Sequence, residues 1–322
     1  MTLLSVVTVT YFRHELLLRK AASLQQQTLA PELFEWCVAS NGDAEAAALL
    51  DELKVPFALK TVALTQNLAI PAARNAAAGL ATGELLLMSD DDVLLPPGCL
   101  AAHAAAHAAG HAVGTDKVGV AAVDGSPGSA PSAARPRVVI GDLRLPSDLR
   151  EAGNGSGAER EPFERTASVA GRALWINATG ANTSLPRAAF EAVGGYDQAF
   201  VAYGGEDSEL AWRLREHGAV FLRSAAAWAE HVGLVSGDKT KAYAAGRAAV
   251  RVWRKHPRPT VGLMLGVHPL LLRLKRRLLA SPLRGLFGPR TADYEEAYLR
   301  GALAELAGVP DDLTQTAREG KR

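Results

Sequence analysis

The 322-residue chain is predicted to be an α/β protein in which a mostly parallel central sheet carries helices on both faces. Two observations predict this class. Short apolar runs rich in β-branched residues alternate with helical patterns over residues 1–95, as in a sheet built from strand–helix–strand units. Hydrophobic residues make up 48% of the chain and charged residues 21%, so the chain can bury a core.

The elements of this first part follow one another in a regular order. The predicted strands are Leu3–Thr10, Phe34–Ala39, Phe57–Leu64 and Glu84–Met88. The predicted helices are Glu15–Gln27, Asp43–Leu53 and Ala69–Leu80. Polar residues follow three of the strands, at Thr10–Arg13, Ser40–Asp43 and Ser89–Asp92. Because open α/β sheets bind ligands beyond the carboxyl ends of their strands, these three segments predict the ligand site.

The pattern beyond residue 96 is less regular. It predicts, in chain order, a helix over Cys99–Gly110, a strand over Gly119–Val123, a strand and turn within Ala173–Arg187, and helices over Glu206–His217, Lys239–Lys255 and the basic, leucine-rich Leu270–Leu279. We expect one main domain over residues 1–235, with halves 1–95 and 96–235, and a helical, basic C-terminal extension over 236–322.

Charge and cysteine content exclude several classes of protein. Thirty-five Lys and Arg against 34 Asp and Glu give a net charge of +1, so no basic field is present to gather nucleic acid. Two cysteines are too few for a disulfide framework or a cysteine-based zinc site. The longest uncharged run, Pro259–Leu272, is too short to span a bilayer, and the N-terminus is typical of a strand rather than a signal peptide. We expect a cytoplasmic protein.

The strongest local feature is the acidic triplet after the fourth strand, Asp90-Asp91-Asp92. Adjacent carboxylates repel one another, so a fold that holds them together usually supplies a cation. Alternation along an extended segment predicts that Asp90 and Asp92 share one side and that Asp91 points away. Such oxygen ligands suit Mg²⁺ or Mn²⁺. The alternative is an acidic turn that caps the next helix.

A second acidic segment and a histidine are further candidates. Glu206 and Asp207 begin a predicted helix, where the helix dipole keeps a carboxylate ionised and suits it to act as a general base. The alternative is an ordinary acidic first turn. The imidazole of His231 would complete a metal shell with Asp92, although a lone histidine is more often a surface or core-edge residue.

Three further histidines are spaced four residues apart, at His103, His107 and His111. This spacing would align them on one face of a helix. No acidic residue lies near them in the sequence, so we expect a solvated face rather than a metal site.

Taken together, these residues resemble the family 2 glycosyltransferases with the GT-A fold. The opening strand and loop, Ser5–Tyr11, is similar to the first strand and nucleotide loop of that family, and Ala73-Arg74-Asn75 is similar to its next helix. Asp90-Asp91-Asp92 occupies the position of its DXD motif. The segment from Gly180 to Leu214 resembles the galactosyltransferase-like C-terminal segment of one branch. The ordered combination is far more specific than any single motif.

The resemblance implies a role for each candidate residue. Those implied to bind the nucleotide sugar are Thr10, Tyr11, Ser40, Arg74, Asp90 and Asp91. Those implied to hold Mn²⁺ or Mg²⁺ are Asp92, Asp90 and His231. Asp207 would be the base that deprotonates an acceptor hydroxyl in a single inverting displacement, with Glu206 as the other candidate. The half over 1–95 would then bind the donor and the half over 96–235 the acceptor.

The resemblance also implies partners. A UDP-sugar is the expected donor, although Ser40 stands where the family usually has an acidic residue, which leaves the choice of base open. A saccharide or a lipid-linked saccharide is the expected acceptor. The basic tail beyond about residue 236 would suit a peripheral contact with the inner face of a membrane, and a helix packed on the domain, with its basic side chains reaching solvent, is slightly favoured over it.

Two other functions remain as alternatives. A nucleotidyltransferase would also bind nucleotides beside paired aspartates, and a non-catalytic carbohydrate-binding or scaffold module would keep the fold without the chemistry. The acceptor-side pattern ending in Glu206-Asp207 favours the transferase over the first, and the presence of all the implied acidic residues favours it over the second.

Overall fold

The computed structural model describes residues 1–109, 135–144, 175–232, 239–287 and 289–310. Its strands are β1 (Leu4–Thr10), β2 (Phe34–Asn41), β3 (Ala58–Leu64), β4 (Leu85–Met88), β5 (Val93–Leu94), β6 (Arg137–Arg144), β7 (Thr183–Pro186) and β8 (Val220–His231). Its helices are α1 (His14–Gln25), α2 (Ala44–Glu52), α3 (Ile70–Ala78), α4 (Cys99–Ala108), α5 (Arg187–Ala192), α6 (Glu206–Glu216), α7 (Lys239–Lys255), α8 (Pro259–Met264), α9 (Pro269–Leu279) and α10 (Pro289–Leu306).

The eight strands form one mixed sheet in the order β3-β2-β1-β4-β7-β6-β8-β5. The four predicted strands, β1 to β4, pair in parallel. β7 then runs antiparallel to both β4 and β6, while β6 and β8 are parallel. The predicted α/β class with C-terminal helices is therefore confirmed, and the parallel part is the half that carries the acidic triplet.

Burial explains why the parallel strands lie at the centre. All eight residues of β2 and six of the seven residues of β1 are buried, and the side chains of Leu4, Val6, Trp36 and Val38 lie in the main core. Strands of a parallel sheet are buried on both faces, which accounts for their continuous apolar runs. Helix α1 packs through Leu17 and its neighbours one and two turns on.

The chain divides into two compact units. Unit 1 contains residues 1–68, 73–195 and 212–233, and unit 2 contains residues 69–72, 196–211 and 234–322. Unit 2 therefore takes the start of α6 together with the C-terminal helices. The domain boundary predicted at residue 235 stays a prediction.

Unit 2 has its own core, in which α7 and α10 pack closely. Gly246 on α7 and Gly301 on α10 make this possible, because a Cβ at either position would overlap the backbone of the other helix. Val250, Val267 and Leu272 pack in the same cluster. None of the described helices has the length and apolar character needed to cross a bilayer.

Candidate active site

The carboxyl ends of the parallel strands meet at one edge of unit 1. Thr10 ends β1 and lies beside Ser40 of β2 in the register of the sheet, and both side chains are buried. The hydroxyl of Thr8 donates a hydrogen bond to the carbonyl oxygen of Ser89, which joins β1 to the segment after β4 (2.9 Å). The three segments that the sequence places at the sheet edge are therefore neighbours.

The acidic triplet turns immediately after β4. The amide of Val93 donates to the carbonyl oxygen of Asp90 (3.2 Å), so residues 90–93 form a turn rather than an extended segment. The predicted alternation is consequently wrong, because Asp91 and Asp92 are held together by a single guanidinium. Asp90 instead faces Arg74.

Arg13 is the cation that joins two of the carboxylates. Its Nη1 lies 2.9 Å from Oδ1 of Asp91 and 2.6 Å from Oδ2 of Asp92. Both carboxylates are buried, whereas the Arg13 side chain is 48% exposed. Burial raises the pKa of Asp91 to about 6, and the charge of Asp92 adds to this effect while Arg13 opposes it. An exposed cation thus neutralises a buried acidic pair.

A second cation lies beneath the triplet. The ammonium of Lys20 is fully buried and donates to the hydroxyl of Ser89 and to the carbonyl oxygen of Val93 (2.6 Å for the latter). Burial lowers the pKa of Lys20 to about 8, and the nearby thiol of Cys99 and the three aspartates oppose this shift. Lys20 therefore fixes the position of the segment from within the core.

Asp90 is paired with the arginine that the sequence singled out. Nη2 of Arg74 lies 2.9 Å from Oδ1 of Asp90, which is about one-third exposed. The guanidinium lies against the backbone of Gly180, where any Cβ would overlap it. Arg74 is consequently positioned by a glycine about a hundred residues away, and both members of the pair lie at the same sheet edge.

His231 lies next to Asp92. Val93 of β5 pairs with His231 of β8, and Nε2 of His231 lies 3.8 Å from Oδ1 of Asp92. The other imidazole nitrogen, Nδ1, is buried without a hydrogen-bond partner among the described residues. One carboxylate and one imidazole fit a divalent cation that takes its remaining ligands from phosphate and water. The part of the chain that the structure describes contains no cluster of three or more His, Cys, Asp or Glu that could hold a metal alone.

The loop after β1 is tied down by a residue that the sequence marked only as a helix start. Phe12 adopts a positive φ of 51°, which is uncommon for a residue with a side chain. Its amide donates to Oδ2 of Asp43 (2.7 Å), and Nε2 of His14 lies 3.0 Å from the same atom. Oδ1 of Asp43 accepts from the amide of Ala46 and so caps α2. Asp43 therefore holds the loop that carries Tyr11 and Arg13.

The second acidic segment lies in unit 2. Gly204 and Gly205 precede α6 with φ of 82° and 93°, and a Cβ on Gly205 would press on Phe200 and Ala248. Glu206 and Asp207 then form the first turn of α6. The hydroxyl of Tyr196 donates to Oδ1 of Asp207 (3.1 Å), which orients this carboxylate.

Glu209, one turn further on, has a different environment. It is fully buried, and its Oε1 lies 2.6 Å from Nζ of Lys255 and 3.0 Å from Nε2 of His256. Lys255 also pairs with Asp197. The ammonium of Lys255 and the imidazole of His256 thus fix Glu209 in place, which makes it a structural carboxylate within unit 2.

The histidines of α4 are buried, so the predicted solvated face is wrong. Nδ1 of His103 and Nε2 of His107 share the hydroxyl of Ser184, and Nε2 of His103 contacts Oδ1 of Asn182 (2.9 Å). Burial lowers the pKa of both imidazoles to about 4, so they are neutral at pH 7. The sequence carried no sign of their partners, which lie about eighty residues away. His111 and the predicted strand Gly119–Val123 lie outside the described residues.

Two family models match the chain. The model for glycosyl transferase family 2 matches residues 5–163, and the model for the N-terminal domain of galactosyltransferase matches residues 161–232. Together they span the acidic triplet, Arg74, the start of α6 and His231.

Among curated proteins, the chain is similar to validoxylamine A glucosyltransferase. It is 29% identical to the protein of Streptomyces hygroscopicus subsp. limoneus over 242 residues, which are 70% of this chain and 51% of the relative. It is also 29% identical to the protein of S. hygroscopicus subsp. jinggangensis (strain 5008), of which it covers 54%. The chain thus spans about half the length of the curated relatives it matches.

Two solved structures have the same fold as this chain. The mannosyltransferase PcManGT from Pyrobaculum calidifontis in complex with GDP-Man and Mn²⁺ aligns with a TM-score of 0.62 at 18% identity, over 95% of this chain and 88% of that one. S. aureus TarS in complex with UDP-GlcNAc aligns with a TM-score of 0.52 at 16% identity, over 96% and 92%. These likenesses show the GT-A fold. The two family models together identify residues 5–232 as a glycosyltransferase domain, of which residues 5–163 match glycosyl transferase family 2.

Proposed function

We propose that this protein is a metal-dependent, inverting glycosyltransferase that moves a sugar from a nucleoside diphosphate sugar to a hydroxyl acceptor. The observation that carries the proposal is the group Asp91, Asp92, Arg13 and His231 at the carboxyl end of β4. Two buried carboxylates, an exposed guanidinium and an imidazole whose Nε2 lies 3.8 Å from Asp92 suit a bound cation and an anionic diphosphate.

The donor would be held by residues of unit 1. Tyr11 would stack on the base, Thr10 and Ser40 would donate hydrogen bonds, and Arg74 would bind the nucleotide through its planar guanidinium. We propose a UDP-sugar as donor, as the family resemblance implies. The TarS structure contains UDP-GlcNAc and that of PcManGT contains GDP-Man, so the assays include both nucleotides. Asp90 and Asp91 would contact the ribose and sugar side of the same ligand.

Asp92 and His231 would hold Mn²⁺ or Mg²⁺, with Asp90 as a further candidate ligand. When bound, the cation neutralises the charge that develops on the departing nucleoside diphosphate. Arg13 contributes a second positive charge at the same carboxylates. Because this arginine is half exposed, it can leave Asp92 and pair with a phosphate oxygen of the donor without uncovering the core.

Asp207 would act as the base on the acceptor, with Glu206 as the alternative. The bond from the acceptor oxygen to the anomeric carbon forms as the bond from that carbon to the phosphate oxygen breaks. The hydroxyl proton passes to Asp207, and the nucleoside diphosphate leaves with the electron pair. A single displacement inverts the anomeric configuration. The hydrogen bond from Tyr196 supports this role, because it orients the carboxylate at the start of α6.

The acceptor would be a saccharide or a lipid-linked saccharide. A validoxylamine acceptor, as the names of the curated relatives indicate for those proteins, is one member of the first class to include in assays. The chain covers only half of those relatives, so the acceptor is best identified by direct assay with several hydroxyl compounds.

The test is a calorimetric titration of the full chain with nucleoside diphosphates and nucleotide sugars, first with Mn²⁺ and then with EDTA. We expect binding of one nucleotide sugar that EDTA abolishes, followed by transfer that inverts the anomeric centre when an acceptor is added. Metal-dependent binding of nucleoside triphosphates alone would indicate a nucleotidyltransferase. Equal binding with and without EDTA would contradict the metal site.

A further inference from the structure

The C-terminal part of the chain is strongly and unevenly charged. Residues 239–292 contain 13 Lys and Arg and no Asp or Glu, although the whole chain has a net charge of only +1. A basic excess confined to one segment requires either internal acidic partners or an external anion. The contacts within unit 2 separate these two cases residue by residue.

At least seven of these 13 cations form ion pairs within unit 2, and one of the seven is Arg254, which lies 3.6 Å from Glu305. Glu305 of α10 pairs with Arg247 (2.9 Å) and Arg251 (3.1 Å), and Asp293 pairs with Lys239 (2.8 Å) and Arg284 (2.8 Å). Lys255 is held by Glu209, and Lys275 by Glu295 (2.7 Å). These pairs join α10 to its neighbours and account for the acidic residues that follow the basic segment.

Three arginines on α9 differ from the rest. Arg273, Arg276 and Arg277 are exposed, and no carboxylate of the described residues lies within ion-pair distance of any of them. The other face of α9 is occupied, because Leu272 is buried in the core of unit 2 and Lys275 reaches Glu295. Three cations without an ion-pair partner among the described residues therefore lie together on α9.

The same face exposes large apolar side chains. Leu270 is 65% exposed and Leu274 is 52% exposed, four residues apart and so adjacent on the helix surface. At 100° per residue, Arg277 and then Arg273 follow directly beside the two leucines, with Arg276 at the far edge. Leu283, just beyond the helix, is half exposed as well. Burying leucines gains free energy only in an apolar surrounding.

We propose that this face of α9 docks the protein on an anionic lipid bilayer. The helix lies in the plane of the interface, Leu270 and Leu274 enter the acyl boundary, and the three arginines contact phosphate headgroups. Nucleic acid would satisfy the arginines but would leave the leucines in water, so the lipid surface accounts for both observations. This inference is independent of the donor and of the metal.

The test is co-sedimentation of the full chain with phosphatidylcholine vesicles, with and without phosphatidylglycerol. We expect binding to the anionic vesicles only, weakened by high salt. Replacing Arg273, Arg276 and Arg277 together by Gln should reduce partitioning about 100-fold, since each basic residue near an anionic surface contributes roughly a fivefold factor. Replacing Leu270 and Leu274 by Ser should reduce it by at least about tenfold through the lost apolar burial.

The matched control is the double variant L18S/R19Q on α1, which removes an exposed leucine and an exposed arginine from unit 1. It should bind anionic vesicles as the parent does. Donor titrations of all variants should be unchanged, because none of these residues lies in the donor site. Equal binding to neutral and anionic vesicles, or full binding by the triple-arginine variant, would overturn the proposal. The proposal would also be overturned if the protein bound no vesicle but bound an oligonucleotide through the three arginines.

Discussion

The two acidic segments of this protein contain similar residues, but the partners that hold their carboxylates differ. At Ser89–Asp92 in unit 1, two buried carboxylates share one exposed arginine, Arg13, and a histidine with an unpartnered nitrogen. At Glu206–Glu209 in unit 2, Glu209 is buried and contacts Lys255 and His256, and Asp207 accepts a hydrogen bond from the hydroxyl of Tyr196.

This difference separates carboxylates that exchange partners from those that do not. A buried charge whose neutralising cation is exposed can take a metal or a ligand in its place at modest cost. A buried carboxylate held by a lysine and a histidine of the same unit contributes to folding instead. Two acidic clusters that look alike in the sequence therefore need different tests: ligand binding and activity for the first, and stability for the buried Glu209 of the second.

The largest effect is expected for Asp92→Asn. An amide is a far weaker ligand for a divalent cation, and a bound cation contributes several kcal/mol to this chemistry. We expect kcat/KM to fall about 10³-fold and Mn²⁺-dependent donor binding to disappear in calorimetry. D51N, on the exposed face of α2, is the matched control and should bind the donor normally. Undiminished Mn²⁺-dependent affinity in D92N would remove this residue from the metal site.

Asp207→Asn should separate the acceptor side from the donor side. Loss of a general base lowers kcat by roughly 10²–10³-fold, while donor affinity should stay within twofold because the donor residues are intact. E206Q is the paired variant, and we expect it to retain most of its activity. The reverse result, an active D207N and an inactive E206Q, would assign the base to Glu206.

Glu209→Gln tests the sealed carboxylate. It leaves Lys255 and His256 beside a neutral amide, and because Lys255 is partly exposed we expect a loss of about 2–3 kcal/mol in the free energy of unfolding. Donor binding should survive below the new melting temperature. E216Q, at the exposed end of the same helix, should change stability by less than about 0.5 kcal/mol. Equal stabilities of the two variants would refute a structural role for Glu209.

Much of unit 1 could be predicted from the sequence, for a local reason. Strands β1 to β4 are buried runs whose apolar pattern is continuous, and each acidic candidate follows an element boundary. Strand β6 was missed, because its residues Asp142 and Arg144 are charged. Asp142 pairs with Arg223 of β8 (2.6 Å), so the charge of each side chain is compensated by the neighbouring strand. Arg13 and Asp43 lie within segments predicted at the ligand edge, but neither they nor Lys20 were given a role, because their partners lie 29–79 residues away.

A fourth test concerns the two buried, neutral imidazoles of His103 and His107. His103 and His107 have pKa values lowered by burial to about 4, against an ordinary value of 6.5. The unfolded chain therefore binds protons that the native protein does not, and stability falls as the pH decreases from 6.5 towards 4. The two imidazoles together would lose about 3–4 kcal/mol between pH 7 and pH 5, and Asp91, whose pKa is raised to about 6, opposes this by about 1 kcal/mol because it takes up a proton in the native protein. We therefore expect urea unfolding to show a net loss of about 2 kcal/mol.

The variant H107Q should flatten that dependence, whereas H217Q, which removes an exposed histidine, should leave it unchanged. Glu35 does not interfere in this window, because hydrogen bonds from Lys60, Ser5 and Thr82 overcome burial and hold its pKa near 2. A pH dependence that is the same in parent and H107Q would show that this imidazole is protonated in the native state.

The smallest effect is expected for Asp43→Asn. This substitution tests how firmly the loop after β1, which carries Tyr11 and Arg13, is held in place. Asparagine can still cap α2, but it weakens the hydrogen bonds to the amide of Phe12 and to His14 that stabilise the positive φ of Phe12. The loop that carries Tyr11 and Arg13 would then sample other conformations before the donor binds. We expect KM for the donor to rise about fivefold, or about 1 kcal/mol, with kcat nearly unchanged. A fall in kcat at constant KM would instead mean that Asp43 acts on the chemical step. Asp43 would then have to be counted with the catalytic residues rather than with those that position the loop.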